Sequence, residues 1–173
     1  MKAIILNSAP GVGKTTLLKQ LEGVLPKNFA IIDGDDVGRI IPLKLSIAWL
    51  NLIQDNIVSC AKNYKGYGID FLIIAFVFPS EERVDRLTKL LKDINIDVLY
   101  RCSLICDAAE LKQRIKKRNT TRFMNFERAI ECNIKIKQLK SELVIDTTQR
   151  GVEEIRDLFV DSILTIVKGN VDG

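Results

Sequence analysis

The sequence contains no histidine. That absence excludes Ser-His-Asp and Cys-His nucleophile pairs and every His-ligated metal site. A general base must then be a carboxylate, Lys, Tyr, Cys or the substrate itself. Cysteine is sparse: Cys60, Cys102, Cys106 and Cys132, with no Cys-x-x-Cys pair. If Cys102 and Cys106 share a strand they lie roughly 13 Å apart, beyond disulfide reach, and four scattered thiols read as reduced. No apolar run approaches the ~18–20 residues of a membrane helix. The segment Ala3-Ile4-Ile5-Leu6 is also too short for a signal-peptide core, so a cytoplasmic location is expected. Excess charge of one sign is small as well: 26 Lys+Arg against 22 Asp+Glu leave +4. The basic residues are spread along the chain, which argues against a nucleic-acid footprint and leaves room for an anionic ligand. Internal repeats, low-complexity tracts and dividing linkers are missing, and 173 residues suit one domain, 1–173, with one core.

What the sequence does contain is an alternation of apolar runs and helix-period segments. Residues 3–7, Phe29 to Ile32, Phe71 to Phe78, Val98 to Ile105 and Leu143 to Ile145 read as buried strands. Between them, Leu17 to Leu25 repeat at helical spacing until Pro26. Residues 46–64 place Leu50, Ile53, Ile57, Ala61 and Tyr64 on one face, with Gly66 and Gly68 as terminators. Ser80 and Asp107 are positioned to cap helices, a further helix is expected over about 124–140, and Val152, Ile155, Phe159, Ile163 and Ile166 mark the last one. Five strands each followed by a helix imply an α/β fold: a five-stranded parallel sheet with helices on both faces, a three-layer sandwich.

Directly after the first strand stands Ser8-Ala9-Pro10-Gly11-Val12-Gly13-Lys14-Thr15-Thr16, followed at once by a helix. Small residues whose N–H groups can wrap a phosphate, at the positive end of a helix, form a triphosphate cradle. In such a P-loop, Pro10 to Thr16 surround the phosphates, Lys14 reaches the β- and γ-phosphates, and the Thr15 hydroxyl ligates Mg²⁺. Ser8 replaces the first glycine of the Walker pattern, at the strand exit and away from the phosphate.

Two classes of triphosphate protein are disfavoured by what is missing. No Asn-Lys-x-Asp motif reads a guanine base, and the third strand ends Phe76-Val77-Phe78-Pro79, without the acidic pair of an ATPase motor. Instead, Asp33-Gly34-Asp35-Asp36 ends the second strand. If the second strand lies beside the first, these carboxylates share a rim with the phosphate loop. One carboxylate near Mg²⁺ and another near an acceptor hydroxyl is the layout of a phosphoryl transferase. Asp36, and less readily Asp35, could instead cap the following helix.

Ile5-Leu6-Asn7 leading into Gly11-Val12-Gly13-Lys14-Thr15, followed by Ile31-Ile32-Asp33-Gly34-Asp35, resembles the small-molecule P-loop kinases. That group includes shikimate kinase, gluconate kinase, adenylylsulfate kinase and chloramphenicol phosphotransferase. Leu143-Val144-Ile145-Asp146-Thr147-Thr148 before Val152-Glu153-Glu154-Ile155 resembles the last strand, adenine-side loop and final helix of the same group. The resemblance implies a nucleoside/nucleotide-kinase-like P-loop fold that uses ATP and Mg²⁺, with Asp33 helping to hold the metal and Asp35 contacting the acceptor hydroxyl. It implies Arg114 over the adenine, Arg118 in a lid (about 115–128) against the transferring phosphate, and Arg122 as an alternate. Arg39 is the nearest equivalent of an arginine that follows the Asp-Gly-Asp of adenylylsulfate kinases, offset by one residue. The pocket motifs of shikimate kinase have no counterpart. The segment of about 37–67 is where such a fold holds its acceptor; it carries Trp49, the only tryptophan, and the apolar Ile40-Ile41-Pro42-Leu43.

These readings converge on an ATP- and Mg²⁺-dependent phosphotransferase acting on a small-molecule hydroxyl, and a partly apolar acceptor fits better than a highly phosphorylated one. A nucleotide or nucleoside kinase is the alternative within enzymes, and an ATP-binding regulatory or toxin-like module with little turnover the alternative outside them. Nothing in the sequence indicates the oligomeric state.

Overall fold

A computed structural model describes residues 1–25, 28–42, 45–117 and 125–171, with side chains through residue 167. In chain order the elements are β1 (Lys2–Ser8), α1 (Lys14–Gln20), β2 (Phe29–Asp33), α2 (Gly34–Val37), α3 (Ile47–Tyr67) and β3 (Phe71–Phe76). They continue with α4 (Glu81–Asp93), β4 (Asp97–Ile105), α5 (Ala108–Lys117), α6 (Phe126–Lys137), β5 (Leu143–Asp146) and α7 (Val152–Val171). The five strands form one all-parallel sheet in the order β2-β3-β1-β4-β5.

The period of two along each strand divides the core between the two faces of the sheet. Ile4, Leu6, Ile73, Ala75, Cys102 and Leu104 face a cluster completed by α1, α5, α6 and α7. Ala3, Ile5, Ile32, Leu72, Ile74 and Phe76 face a second cluster completed by α3 and α4. Both faces are covered, which is why the strands read as continuous apolar runs. Burial in the first cluster pushes the Cys102 thiol pKa far above its ordinary value, so this sulfur behaves as a small hydrophobe.

Several local expectations shift. β1 and β2 are not neighbours: β3 lies between them, with Asp33 and Leu6 both in register with Ala75. β3 ends at Phe76 and not Phe78, because the Asn7 side chain takes over the ladder. Its amide donates to the Phe78 carbonyl (2.9 Å) and its oxygen accepts the Phe78 N–H (2.8 Å). α1 stops at Gln20, well before Pro26, with Gly23 at φ 79° in the turns that follow. In α3, Gly66 is helical and Gly68, at φ 95°, terminates the helix. Gln54 is buried there while Tyr64 is exposed. Ser80 occupies the cap position of α4 without a side-chain hydrogen bond, whereas Asp107 accepts the Ala109 N–H at 2.7 Å. Cys106 lies just past the end of β4.

Glycine is required at the β2–α2 junction by space. A Cβ on Gly34 would stand 2.5 Å from the ring of Phe76, which is itself fully buried. Gly34→Ala is therefore expected to cost about 1–3 kcal/mol by overpacking. Thermal unfolding should show this as a fall in Tm of roughly 3–10 °C. An unchanged Tm would mean that the junction can relax.

Candidate active site

The loop between β1 and α1 is built on two glycines in the left-handed region: Gly11 at φ 93° and Gly13 at φ 125°. Gly11 is also crowded, since a Cβ there would lie 2.7 Å from Ile115. Any side chain at Gly11 would thus be strained and would also collide with α5. Lys14 opens α1 with only 6% of its side chain exposed, and its ammonium donates to Asp33 Oδ1 at 2.9 Å and to Asp35 Oδ2 at 3.5 Å. The Thr15 hydroxyl donates to Asp33 Oδ2 at 3.4 Å. One lysine thus ties the β1 loop to the rim of β2 across the end of β3.

Asp33 does three things at once. Besides meeting Lys14 and Thr15, it is the N-cap of α2 and accepts the Asp35 N–H at 3.1 Å. The capping role expected of Asp36 or Asp35 therefore falls to Asp33, because α2 starts one residue after it. Asp35 and Asp36 sit in the first turn of α2, both exposed, with the Asp35 carboxylate turned back toward Lys14. Arg39 is exposed beyond Gly38. The Trp49 indole N–H donates to the Gly38 carbonyl at 2.9 Å, and its ring meets Phe76 edge-on at 6.0 Å. Trp49 is therefore a fixed wall beside α2 whose one polar group is already used.

On the other side of the loop, Arg114 is held by four hydrogen bonds. One terminal nitrogen donates to the Val12 carbonyl and the Thr147 hydroxyl, each at 2.9 Å. The other donates to the Thr147 carbonyl at 2.6 Å and to the Glu110 carboxylate. Glu110 also accepts the Gln149 N–H at 2.9 Å. Arg114 thereby joins the loop between β1 and α1 to the turn after β5, with the planar faces of its guanidinium left over for stacking. It borders a cleft of about 370 Å³ with Gly11, Gly13, Thr16, Thr147 and Arg150, a size that suits a small ligand. Arg118 and Arg122, and with them the centre of the expected lid, lie outside the described residues.

The turn itself is pinned at Asp146. Burial raises its carboxyl pKa, but hydrogen bonds from the Thr148 hydroxyl and N–H outweigh this and hold it below the ordinary value. Thr148 in turn accepts the Asp107 N–H at 2.8 Å.

Sequence reasoning missed Asn7, Glu110 and the part played by Thr147. A lone polar residue ending an apolar strand was a signal for Asn7, and the i, i+4 spacing to Arg114 was one for Glu110. For Thr147 the sequence offered none. Arg114→Ala is expected to weaken triphosphate binding roughly tenfold by releasing both loops. Arg114→Lys should not restore binding, because an ammonium cannot reproduce the fork. Titration of nucleotide into both variants checks this, and full rescue by lysine would refute the strut.

The oxygens of Thr15 and Asp33 are hard donors close to the ~3 Å separation of neighbouring ligands in an octahedral Mg²⁺ shell. Among the described residues no group of three or more His, Cys, Asp or Glu could cage a metal.

No protein-family profile matches the sequence, and no curated protein sequence matches it. Solved structures do. A tunicamycin resistance protein from Deinococcus radiodurans superposes with a TM-score of 0.67 at 18% identity, over 94% of this chain and 95% of that one. A gluconokinase from Sinorhizobium meliloti gives 0.65 at 14% identity, over 98% and 95%. The fold is that of the small-molecule P-loop kinases. An APS kinase from Mycobacterium tuberculosis adds a third likeness, with a TM-score of 0.60 at 15% identity over 94% and 96%. Such coverage means that the P-loop kinase fold accounts for nearly the whole chain. Among the described residues no helix is long and apolar enough to cross a membrane.

Proposed function

We propose that this protein is an ATP- and Mg²⁺-dependent phosphotransferase that transfers the γ-phosphate to a hydroxyl of a small molecule. The observation that carries the reading is the meeting of Lys14, Asp33 and Asp35. A P-loop lysine and two carboxylates from the β2 rim bring a phosphate site and a proton acceptor within one side chain's reach. The structural likeness to kinases supports the same reading.

In this reading the amides of Pro10 to Thr16 and the Lys14 ammonium receive the β- and γ-phosphates, and the cleft beside Arg114 takes the adenosine part. Thr15 and Asp33 hold the metal, which when bound neutralises phosphate charge and helps align the γ-phosphate. Before nucleotide arrives, Lys14 is neutralised by the two carboxylates; on binding it turns from Asp35 to the phosphates. That frees Asp35 to orient the acceptor hydroxyl and take its proton. Arg39 and Trp49 border the acceptor side, and Arg118, which lies outside the described residues, is the candidate for a further guanidinium against the transferring phosphate. Transfer needs no imidazole, which fits a chain without histidine.

ADP release from Mg²⁺-ATP in the presence of pooled alcohols, polyols, nucleosides and nucleoside monophosphates tests the proposal. Acceptor-dependent release above background is expected. Tight ATP binding with no such release would favour a regulatory module.

A further inference from the structure

Glu110 uses its two carboxylate oxygens on two different elements. Oε1 accepts from the Arg114 guanidinium one turn along α5, and Oε2 accepts the Gln149 N–H at 2.9 Å from the turn after β5. Arg114, Thr147 and Arg150 line the cleft beside the loop between β1 and α1, whereas Glu110 is not among the residues that line it. An i, i+4 ion pair on an exposed helix face contributes little. This one is partly buried and carries a second bond to a distant segment, which a surface pair does not need.

The turn that Glu110 holds is one that needs holding. Gln149 lies at φ 54°, in the left-handed region that glycine adopts freely and a residue with a side chain does not. Such a conformation persists where its surroundings fix it. Two bonds to the start of α5 do so: the one from Gln149 to Glu110, and the one from the Asp107 N–H to the Thr148 hydroxyl at 2.8 Å. Glu110 is itself fixed at its backbone, since Asp107 Oδ1 accepts the Ala109 and Glu110 N–H groups at 2.7 and 3.3 Å. Its place in the first turn of α5 also favours its negative charge. Without Glu110, Arg114 would still donate to the Val12 carbonyl and to Thr147. The loop between β1 and α1 would thus stay tied while the guanidinium plane and the Gln149 turn were released.

We propose that Glu110 is a positioning residue for the nucleoside end of the site, acting through Arg114 and Gln149 without touching the ligand. It fixes the plane of the Arg114 guanidinium relative to the turn that carries Thr147 and Arg150, and so sets the slot that receives a flat base. A plane fixed before the base arrives need not be ordered by it, which is where the affinity comes from. The proposal rests on the nucleotide reading above and concerns the half of the ligand that the Lys14 loop does not hold.

Calorimetric titration with Mg²⁺-ATP and with inorganic Mg²⁺-tripolyphosphate separates the two ends, because tripolyphosphate carries no nucleoside. Glu110→Ala is expected to weaken ATP binding about tenfold while tripolyphosphate binding stays within about twofold of the parent. Glu110→Gln keeps the size of the side chain but leaves one acceptor for two donors, so it should lose about three- to fivefold toward ATP alone. In an Arg114→Ala background the further change Glu110→Ala should cost less than about threefold, since the group it positions is gone. Equal losses toward both ligands would make Glu110 a support of the fold at large and overturn the inference. Unchanged ATP binding in both single variants, or an undiminished loss in the Arg114→Ala background, would overturn it too. Each of these leaves the nucleotide reading standing. A parent protein that binds neither ligand removes that reading, and the inference with it.

Discussion

Lys14→Met is expected to weaken Mg²⁺-ATP binding by about two orders of magnitude. Two effects act in the same direction. The variant loses charge-assisted hydrogen bonds to the phosphates, each worth about 1.5–3 kcal/mol. It also strips Asp33 and Asp35 of the cation that neutralises them, 2.9 and 3.5 Å away. The incoming triphosphate would then approach two carboxylates with no compensating charge among them. Methionine keeps the length and apolar stem of the lysine, so the buried position is filled. Calorimetric titration with Mg²⁺-ATP measures the loss, and thermal unfolding of the same variant reports whether the fold is intact. Binding within threefold of the parent, in a folded variant, would remove the phosphate cradle from this loop.

Asp35→Ala should separate binding from chemistry. Its side chain is about half exposed, and Lys14 keeps the shorter of its two ion pairs, to Asp33, when Asp35 is gone. ATP affinity should therefore hold or rise slightly, since one competitor for the lysine has been removed. Phosphoryl transfer should fall by about 10²–10⁴, the usual contribution of a positioned acid–base group. Single-turnover measurement of product at saturating ATP checks this. Transfer within tenfold of the parent would shift the proton acceptor to Asp33, to Asp36 or to the substrate.

The two residues also show how unevenly the site can be read from sequence. Lys14 is legible as a candidate because its context is local: a strand, a glycine-containing turn and a helix all lie within Lys2–Gln20. The Asp-Gly-Asp at the end of β2 is legible for the same reason. Its expected route to the phosphate loop, however, assumed that β1 and β2 are neighbours, and β3 stands between them. The carboxylates arrive nonetheless, because the long Lys14 side chain spans the end of β3, where apolar residues leave no competing charge. Arg114 was legible as a candidate nucleotide contact, and it borders the cleft beside Gly11 and Gly13. Its bonds to Val12 and Thr147 were not, since they join positions more than a hundred and more than thirty residues away.

The sequence alone, through periods of two and of 3.6 and one compact motif, determined the alternation of strands and helices, the covering of both sheet faces and the glycine-built loop between β1 and α1. These follow from propensities and spacings that act within a few turns of chain. Tertiary structure alone decided the strand order, the transfer of the α2 cap to Asp33 and the Asn7 clamp on Phe78. It also decided which polar groups of α3 turn inward, Gln54 and Asn56 among them. Each of these depends on which distant segment supplies the partner for a hydrogen-bonding group or an apolar surface. That choice is made only when the whole chain packs and every buried polar group must be satisfied at once.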